Sequence, residues 1–310
     1  RRQRQMCIRD SPWLIRKILV NLIIVPFRAP SSAKIYKELW TEKGSPIIYH
    51  TESVKNKLQK SLGKKFYVEY AMRYKKPSIG VALEKLRLKN LKQIIIIPLF
   101  PQYASATNGS VIEEVMEIVK SWWVIPEVSF VSQFYNEKLF LDAFAEKGRK
   151  YKIEDYDEII FSFHGLPERH VDKVYEDSMC KDNKCEAGIT DLNQFCYKAT
   201  CYETAYQIAK RLKIKKSDYI VSFQSRLDNK WLRPFSDEVI KKTAKKGDKK
   251  ILCFSPSFVA DCLETIIEIG DEYQEIFEKY GGEKVQLVES LNDSDKWVKC
   301  LEKMVLERTI

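Results

Sequence analysis

The sequence has few histidines, no long uninterrupted apolar segment and no glycine-rich phosphate loop. Neither GxGxxG nor GxxxxGK[ST] occurs in its 310 residues, which argues against a nucleotide phosphate as the main ligand. The longest apolar stretch, residues 13–27, is interrupted by Arg16, Lys17 and Asn21, so it falls short of the roughly 20 residues that a membrane-spanning helix needs. We therefore expect a soluble protein, with a peripheral membrane contact of this stretch left open.

The composition is typical of a folded protein from a reducing compartment. Apolar residues make up 45% of the chain and aromatic residues 12%, which is enough for a sizeable core. The eight cysteines lie in a lysine-rich sequence in which we recognise no secretory signal. In such a chain, close thiols bind metal more often than they form disulfides, and we expect a cytoplasmic location.

The excess of positive charge is spread along the chain. There are 53 basic and 43 acidic residues, which gives a formal charge of +10. The densest basic cluster, KKTAKKGDKK from Lys241, contains no aromatic residue. We interpret this cluster as a solvated helix end and loop, and we expect no nucleic-acid partner.

The first eleven residues are expected to be non-native. Residues 6–10, MCIRD, back-translate to the sequence of a common sequencing adapter, which suggests an artefact joined to a truncated gene. No strand-like segment precedes Trp13. We therefore expect that the first strand of the amino-terminal half is missing.

Strand-like and helix-like segments alternate from about residue 66 onwards. This alternation predicts an α/β fold in which helices flank parallel sheets. The predicted strands are FYVEYAM, QIIIIPLF, EVSFVSQF, EIIFSFH, DYIVSFQS, KKILCFS and KVQLVES. The predicted helices are SIGVALEKLRLKN, GSVIEEVMEIVKSWW, LNQFCYKATCYETAYQIAKRL and ADCLETIIEIGDEYQEIFEKY. Seven strands suit two small sheets, and residues 136–151 are predicted to form a helix that crosses between them.

Polar side chains follow the predicted strands, at the points where the strands end. The carboxyl ends of parallel strands meet at one edge of a sheet, and ligands bind there. The polar residues at these ends are Arg73, Tyr74, Gln102, Tyr103, Ser105, His164, Gln224, Ser225, Arg226, Ser255, Ser257 and Asp261. We expect a binding site at this edge.

His164 is the histidine with the most suggestive position. It ends the apolar segment EIIFSFH, directly before a Gly-Leu-Pro turn. Imidazole accepts protons near neutral pH and ligates iron, zinc or cobalt. The alternative is a half-buried histidine that only caps local backbone.

Three glutamates form a row in the segment DCLETIIEIGDEYQEIF. Glu264, Glu268 and Glu272 stand at positions i, i+4 and i+8, so a helix would place them on one face. A solvated acidic face is one interpretation. The apolar residues around Glu264 favour another, in which a row of carboxylates leads a divalent cation towards the protein interior.

Four cysteines lie close together in the sequence. Cys180, Cys185, Cys196 and Cys201 follow the spacing C-x4-C-x10-C-x4-C. Four thiolates suit tetrahedral zinc or an iron–sulfur cluster, and scattered buried cysteines are the alternative. The spacing matches no zinc ribbon, which favours iron–sulfur.

Six segments follow one another along the chain: TEKGSPIIYH, AMRYKKPS, PLFPQYASATNGS, SFHGLPERH, SFQSRLDNKWLRPFSDE and SPSFVADCLETIIEI. Together they resemble the ferrochelatase family, whose members insert ferrous iron into a porphyrin to complete haem. The resemblance implies a lyase of haem biosynthesis, with a porphyrin cleft between two Rossmann-like halves. The halves are predicted as residues 12–135 joined by a terminal helix at 293–310, and residues 136–292.

The resemblance also implies roles for matched residues. His164 matches the family's invariant histidine and Glu264 its essential glutamate, so both are predicted to be catalytic and to contact the metal. Glu268 and Glu272 match an acidic metal track. The predicted porphyrin contacts are Arg73, Tyr74, Tyr103 and Trp231, with Arg226 as a further partner for a propionate. Many relatives have a second histidine at the position of Cys262.

The four cysteines look like the internal segment that holds a [2Fe-2S] cluster in some bacterial members of the family. Ferrous iron and a porphyrin are thus the implied substrates, with protoporphyrin favoured over coproporphyrin. Two alternatives remain at this stage: a cobalt or sirohydrochlorin-type chelatase, and a non-catalytic haem or tetrapyrrole-binding module. The sequence leaves the oligomeric state open.

Overall fold

The computed structural model describes residues 37–310. The expectations for residues 1–11, for the apolar stretch at 13–27 and for a missing first strand lie outside the described residues. The chain divides into two compact units. The first contains the described residues up to Pro98, Ser105–Ser132 and Leu301–Ile310, and the second contains Leu99–Ala104 and Gln133–Cys300. Within residues 37–310, no helix combines the length and the apolar character needed to cross a membrane.

The first unit contains a short parallel sheet with helices. Its elements are α1 (Pro46–Leu62), α2 (Ile79–Arg87), β1 (Gln93–Ile96), a π-helical turn (Ser105–Gly109), α3 (Ser110–Val119) and β2 (Glu127–Phe130). β1 pairs with β2 in parallel. Ile79 and Leu83 of α2 pack against Val115 and Val119 of α3, so the apolar faces of the two helices form one core.

The prediction of a strand at FYVEYAM, residues 66–72, is wrong. Among the described residues this segment forms only an isolated bridge, between Met72 and Ser78. The side chain of Gln59 bonds its backbone instead: Nε2 donates to the Phe66 carbonyl at 2.9 Å, and Oε1 accepts from the Val68 N–H at 2.9 Å. An amide side chain therefore satisfies groups that a neighbouring strand would otherwise pair.

The second unit is built on a four-stranded parallel sheet with the order β4-β3-β5-β6. Its strands are β3 (Glu158–His164), β4 (Ile220–Gln224), β5 (Lys250–Phe254) and β6 (Lys284–Leu287). Its helices are α4 (Lys138–Gly148), α5 (Glu168–Asp172), α6 (Tyr197–Leu212) and α7 (Ser236–Lys246), followed by a helical segment at 263–279. A final helix, α8 (Asp295–Leu306), follows β6. The predicted α/β class with parallel sheets is confirmed.

Helices cover both faces of this sheet, as the near-continuous apolar strands require. On one face, Ile160 and Ile251 pack with Ile240 of α7 and Phe277 of the helical segment. On the other face, a Cβ added to Gly148 of α4 would lie 2.8 Å from the Phe254 ring, so only glycine allows this approach. Because all four strands are parallel, their carboxyl ends, with His164 and Gln224, lie at one edge of the sheet.

The helical segment at 263–279 is not the single regular helix that its periodicity predicts. An α-turn at Leu263–Thr265 leads into a π-helix at Ile266–Glu272, and an α-helix resumes at Tyr273–Lys279. π-Helical turns are rare and are found mostly at functional sites. Of the predicted row of glutamates, Glu264 lies in the α-turn before the π-helix, and Glu272 is the last residue of the π-helix.

The basic segment from Lys241 forms the end of α7, in agreement with its interpretation as a helix end and loop. The helix stops at Gly247, whose φ of +106° lies in the region that favours glycine. Lys241 and Lys245 lie over the ring of Tyr280, 4.7 and 5.2 Å from its centre. Two lysines of this basic cluster therefore form cation–π contacts within the protein.

Candidate active site

His164 ends β3 at the carboxyl edge of the four-stranded sheet. Its Nδ1 lies 2.7 Å from the Gly165 carbonyl oxygen, and because a carbonyl can only accept, Nδ1 carries the proton. In the neutral imidazole this leaves the lone pair on Nε2, where it is able to accept a proton or bind a metal. The rings of Trp231 and Phe258 are centred 6.5 and 6.3 Å from the imidazole, so its surroundings are largely aromatic.

Two other segments hold the main chain of His164. Its N–H donates to Ser257 Oγ at 3.2 Å, and its carbonyl accepts from the Tyr197 hydroxyl at 2.8 Å. Burial raises the pKa of Tyr197 well above its usual value, so its hydroxyl stays protonated and remains a donor. Hydrogen bonds to both the N–H and the carbonyl of His164 therefore fix the backbone that carries the imidazole.

Gly165 is required by a close approach to β4. Its N–H donates to the Gln224 carbonyl at 2.8 Å. A Cβ at this position would lie 2.8 Å from the same carbonyl oxygen and 3.2 Å from the Trp231 ring. Any side chain would therefore push β3 and β4 apart next to His164.

We expect Gly165→Ala to lower the free energy of unfolding by about 1–3 kcal/mol, the usual cost of overpacking. Turnover should fall as well, because the carbonyl that orients His164 moves. Urea unfolding and an iron-insertion assay measure the two effects. Gly80→Ala is the matched control, since a Cβ there meets only Ile118 at an ordinary 3.8 Å. Unchanged stability and turnover in Gly165→Ala would contradict the steric argument.

Glu264 is buried, with 8% of its surface exposed, in the first turn of the helical segment. Gln224, the partner of His164 in the parallel register, donates from Nε2 to the Glu264 carbonyl oxygen at 2.9 Å. Ser162 donates to the Gln224 Oε1 at 2.8 Å and fixes the amide. The structure thus brings the backbones of His164 and Glu264 to neighbouring positions at this edge, both adjoining Gln224.

Cys262 is buried two residues before Glu264. Burial, and then the negative charge of the neighbouring Glu264, raise the pKa of the Cys262 thiol well above its usual value. The thiol is therefore protonated at neutral pH. It cannot exchange protons as an imidazole would.

Glu268 is held by four donors. Its carboxylate accepts from the Ser225 N–H at 2.7 Å, the Gln224 Nε2 at 3.0 Å, the Tyr273 hydroxyl at 3.2 Å and the Ser225 hydroxyl. Ser225 has a φ of +63°, an uncommon conformation for a residue other than glycine. Glu268 thus ties the π-helical turn to the end of β4, and a part in carrying metal would require some of these bonds to open.

Glu272 differs from the other two glutamates in being exposed. Partial desolvation, followed by repulsion from Glu268 and Glu275, raises the pKa of its carboxyl group. The predicted row of glutamates therefore consists of one buried, one hydrogen-bonded and one exposed carboxylate.

Arg73 and Tyr74, two of the predicted porphyrin contacts, belong to the first unit. Arg73 donates from Nε to Ser110 Oγ at 2.8 Å, and its Nη1 lies 3.1 Å from the Glu114 carboxylate. The guanidinium also lies 4.7 Å from the centre of the Tyr74 ring. Glu114 balances the charge of Arg73, and a pairing with a propionate stays a prediction.

The other three predicted porphyrin contacts lie in the second unit. Arg226 forms ion pairs with two carboxylates of α7, of which Asp237 is the closer at 2.8 Å. The Tyr103 ring packs edge-on to Phe195, with 5.8 Å between the ring centres. Trp231 is only 2% exposed, so its ring lies inside the protein next to His164. Stacking of Trp231 on a porphyrin stays a prediction.

Three of the four predicted cysteine ligands lie together. The Sγ atoms of Cys180, Cys185 and Cys196 are each 3.6 Å from the other two, and all three residues are buried. Cys201 is buried too but stands outside this group. It follows Cys196 by five residues, which on a helix is a rotation of about 140° to another face. We call Cys180, Cys185 and Cys196 the thiol site.

The chemistry of the thiol site fits a metal. Hydrogen bonds from Cys180 and Cys185 hold the pKa of Cys196 well below its usual range, so this sulfur is a thiolate. Cys196 also precedes the first residue of α6, where the helix dipole favours negative charge. Buried thiolates are the ligands that zinc and iron–sulfur clusters use.

Some residues around the site were not assigned a role by the sequence. Gln224 and Ser225 were recognised as polar residues at a strand end, but nothing indicated that both bond the helical segment. Phe195 and Tyr197 were missed, although they are the immediate neighbours of Cys196. Aromatic residues on both sides of a predicted ligand were the signal available.

Comparisons with known proteins agree with one family. A family model described as Ferrochelatase matches residues 4–309. The chain is 42% identical to a ferrochelatase of Legionella pneumophila (strain Paris), over 96% of this chain and 89% of that protein. It is 40% identical to a ferrochelatase of Coxiella burnetii (strain CbuK_Q154), over 95% of this chain and 83% of that protein. The solved structure "SirB from Bacillus subtilis with Fe3+" has a TM-score of 0.54 at 14% identity, over 85% and 91% of the two chains, which shows a shared fold.

Proposed function

The chain belongs to the ferrochelatase family, and from this premise we propose which of its residues carry out the reaction. The protein is a lyase that inserts Fe²⁺ into a porphyrin in the formation of haem. Metallation requires two pyrrole protons to leave while iron loses water. A site that bends the macrocycle exposes the nitrogen lone pairs and so approaches the transition state.

We propose His164 as the acceptor of pyrrole protons. The observation that supports this role is the hydrogen bond between Nδ1 and the Gly165 carbonyl, which leaves the lone pair on Nε2. When Nε2 gains a proton the ring becomes a cation, and its bond to the carbonyl becomes charge-assisted and stronger. The same bond therefore orients the base and stabilises its protonated form.

We propose Glu264 as the residue that receives the metal. A carboxylate oxygen is a hard ligand that suits a divalent cation during the loss of water. The Gln224 amide fixes the main chain of Glu264 next to the end of β4. Glu272, exposed on the same helical segment, is proposed as an outer contact for the incoming iron.

We propose protoporphyrin IX as the porphyrin. The test is an anaerobic assay in which protoporphyrin, coproporphyrin and sirohydrochlorin are each offered with Fe²⁺, Zn²⁺ and Co²⁺. Haem formation from protoporphyrin and Fe²⁺ should be fastest. A preference for sirohydrochlorin with Co²⁺ would overturn the proposal, and porphyrin binding without turnover would indicate a non-catalytic binding protein.

We propose that the thiol site holds a [2Fe-2S] cluster; Cys201, which stands outside this group, would have to turn towards it to serve as the predicted fourth ligand. The purified protein should then absorb visible light and contain about two irons per chain beyond any substrate iron. Cys185→Ser should lose both properties, whereas Cys253→Ala, which alters a buried cysteine of the β-sheet core, should keep them. A colourless protein with stoichiometric zinc would contradict this prediction.

The thiol site also supports a proposal of a cytoplasmic location. Close, reduced thiols persist in a reducing compartment and oxidise outside it. Cell fractionation with low-salt and high-salt washes of the membranes would test this location and, at the same time, a peripheral membrane contact.

A further inference from the structure

Cys196 stands between two aromatic residues that reach the proposed catalytic machinery. On one side, Phe195 packs edge-on against the ring of Tyr103, with 5.8 Å between the centres. On the other side, the Tyr197 hydroxyl donates to the His164 carbonyl at 2.8 Å. One cysteine of the thiol site is therefore one residue away from contacts to both Tyr103 and His164.

A further bond joins the same part of the chain to the segment that carries Tyr103. Gln102 donates from Nε2 to Thr204 Oγ1 of α6 at 3.0 Å, and both residues are buried. A displacement of α6 would therefore also move Gln102, the residue next to Tyr103.

The segment that leads into α6 has little regular structure and carries the cysteines of the thiol site. Between the end of α5 at Asp172 and the start of α6 at Tyr197, the only regular structure is a one-turn helix at Cys180–Asp182. Phe195 is 43% exposed, so packing alone holds it weakly against Tyr103. Cys196, in contrast, is fully buried. A metal bound across the thiol site would cross-link this long segment to the start of α6.

We propose that occupancy of the thiol site is coupled to porphyrin binding through Phe195 and Tyr197. Phe195 positions Tyr103, and Tyr197 positions the main chain of His164. The inference rests on the proposed function, because it takes Tyr103 and His164 as parts of the porphyrin site. Linkage makes the effect reciprocal: if the metal centre improves porphyrin binding, porphyrin must improve retention of the centre by the same factor.

The test compares porphyrin affinity in two states of the full chain, as purified and after reduction and chelation with EDTA. Quenching of protoporphyrin IX fluorescence gives Kd without added iron. The metal-depleted protein should bind protoporphyrin about 5- to 100-fold more weakly, the usual range for coupled sites. In the double variant Phe195→Leu/Tyr197→Phe, the two states should bind it alike. Tyr206→Phe, a change at an exposed tyrosine of α6, should keep the full difference.

A second measurement needs no metal removal. Adding protoporphyrin to the loaded wild-type protein should change the visible circular dichroism of the metal centre, and the change should disappear in the double variant. Equal porphyrin affinity in both wild-type states, with no spectral change, overturns the inference. A difference that persists undiminished in the double variant overturns it as well. Failure of the proposed function is a distinct result, because then neither state binds protoporphyrin.

Discussion

Replacing His164 with alanine should reduce the turnover of iron insertion by about 10²- to 10⁴-fold, the usual contribution of a general base. Protoporphyrin affinity should change little, because the substitution leaves the surrounding aromatic residues in place. The reason lies in the geometry: the Gly165 carbonyl holds the proton on Nδ1 and leaves Nε2 free to accept one. Stopped-flow detection of haem formation measures turnover, and fluorescence quenching measures binding.

A matched histidine control is available in α1. His50→Ala removes an imidazole from the first unit, far along the chain from the candidate site, and should leave turnover at the wild-type level. Near-normal turnover in His164→Ala would remove the central residue of the proposed mechanism. A parallel loss of porphyrin affinity would instead indicate that His164 acts mainly in binding.

Glu268→Ala should lower the free energy of unfolding by about 2–4 kcal/mol, because buried donors left without an acceptor cost about 1–3 kcal/mol each. The Ser225 N–H and the Gln224 amide would both lose their shared partner. The helical segment that carries Glu264 would lose these bonds to the end of β4 and keep the one from Gln224 to the Glu264 carbonyl, so kcat should fall while KM for iron changes little. Urea unfolding and steady-state kinetics at varied Fe²⁺ measure these effects.

The balance between stability and iron KM distinguishes two roles for Glu268. A positioning residue loses stability and kcat when it is removed, whereas a residue on a metal path loses affinity for iron. Glu268→Gln should have a stability and a kcat between those of the wild type and of Glu268→Ala. Its amide keeps one acceptor oxygen, but its NH₂ group faces the donors that bond the carboxylate in the wild type. Glu275→Ala removes an exposed carboxylate of the following helix, and its free energy of unfolding should stay within about 0.5 kcal/mol of the wild-type value. A fully stable Glu268→Ala with a raised iron KM would favour the metal-path role.

Local sequence patterns correctly predict strands that helices cover on both faces. The strand EIIFSFH is buried between its two end residues because helices cover it on each side, and its end at His164 follows from the turn residues after it. The segment at 66–72 has an equally good strand pattern yet forms none. Its pattern cannot reveal that Gln59, on the preceding helix, bonds its backbone.

In the candidate site, too, some features follow from the local sequence and others depend on distant residues. The position of Glu264 in a buried first turn follows from the apolar residues around it. The bonds of Glu268 do not, because Ser225 lies 43 residues away in sequence and adopts its unusual φ only in the folded chain. The separation of Cys201 from the thiol site could have been deduced, since five residues along a helix do not share a face.

The first unit includes residues that follow the second unit in sequence. The second unit closes at Cys300, whereas the first also needs Leu301–Ile310. There the Gln93 amide donates to the Arg308 carbonyl at 2.6 Å, and Met304 is fully buried. On the ribosome, where amino-terminal domains usually fold first, the first unit can make these contacts only after the whole of the second unit has been synthesised.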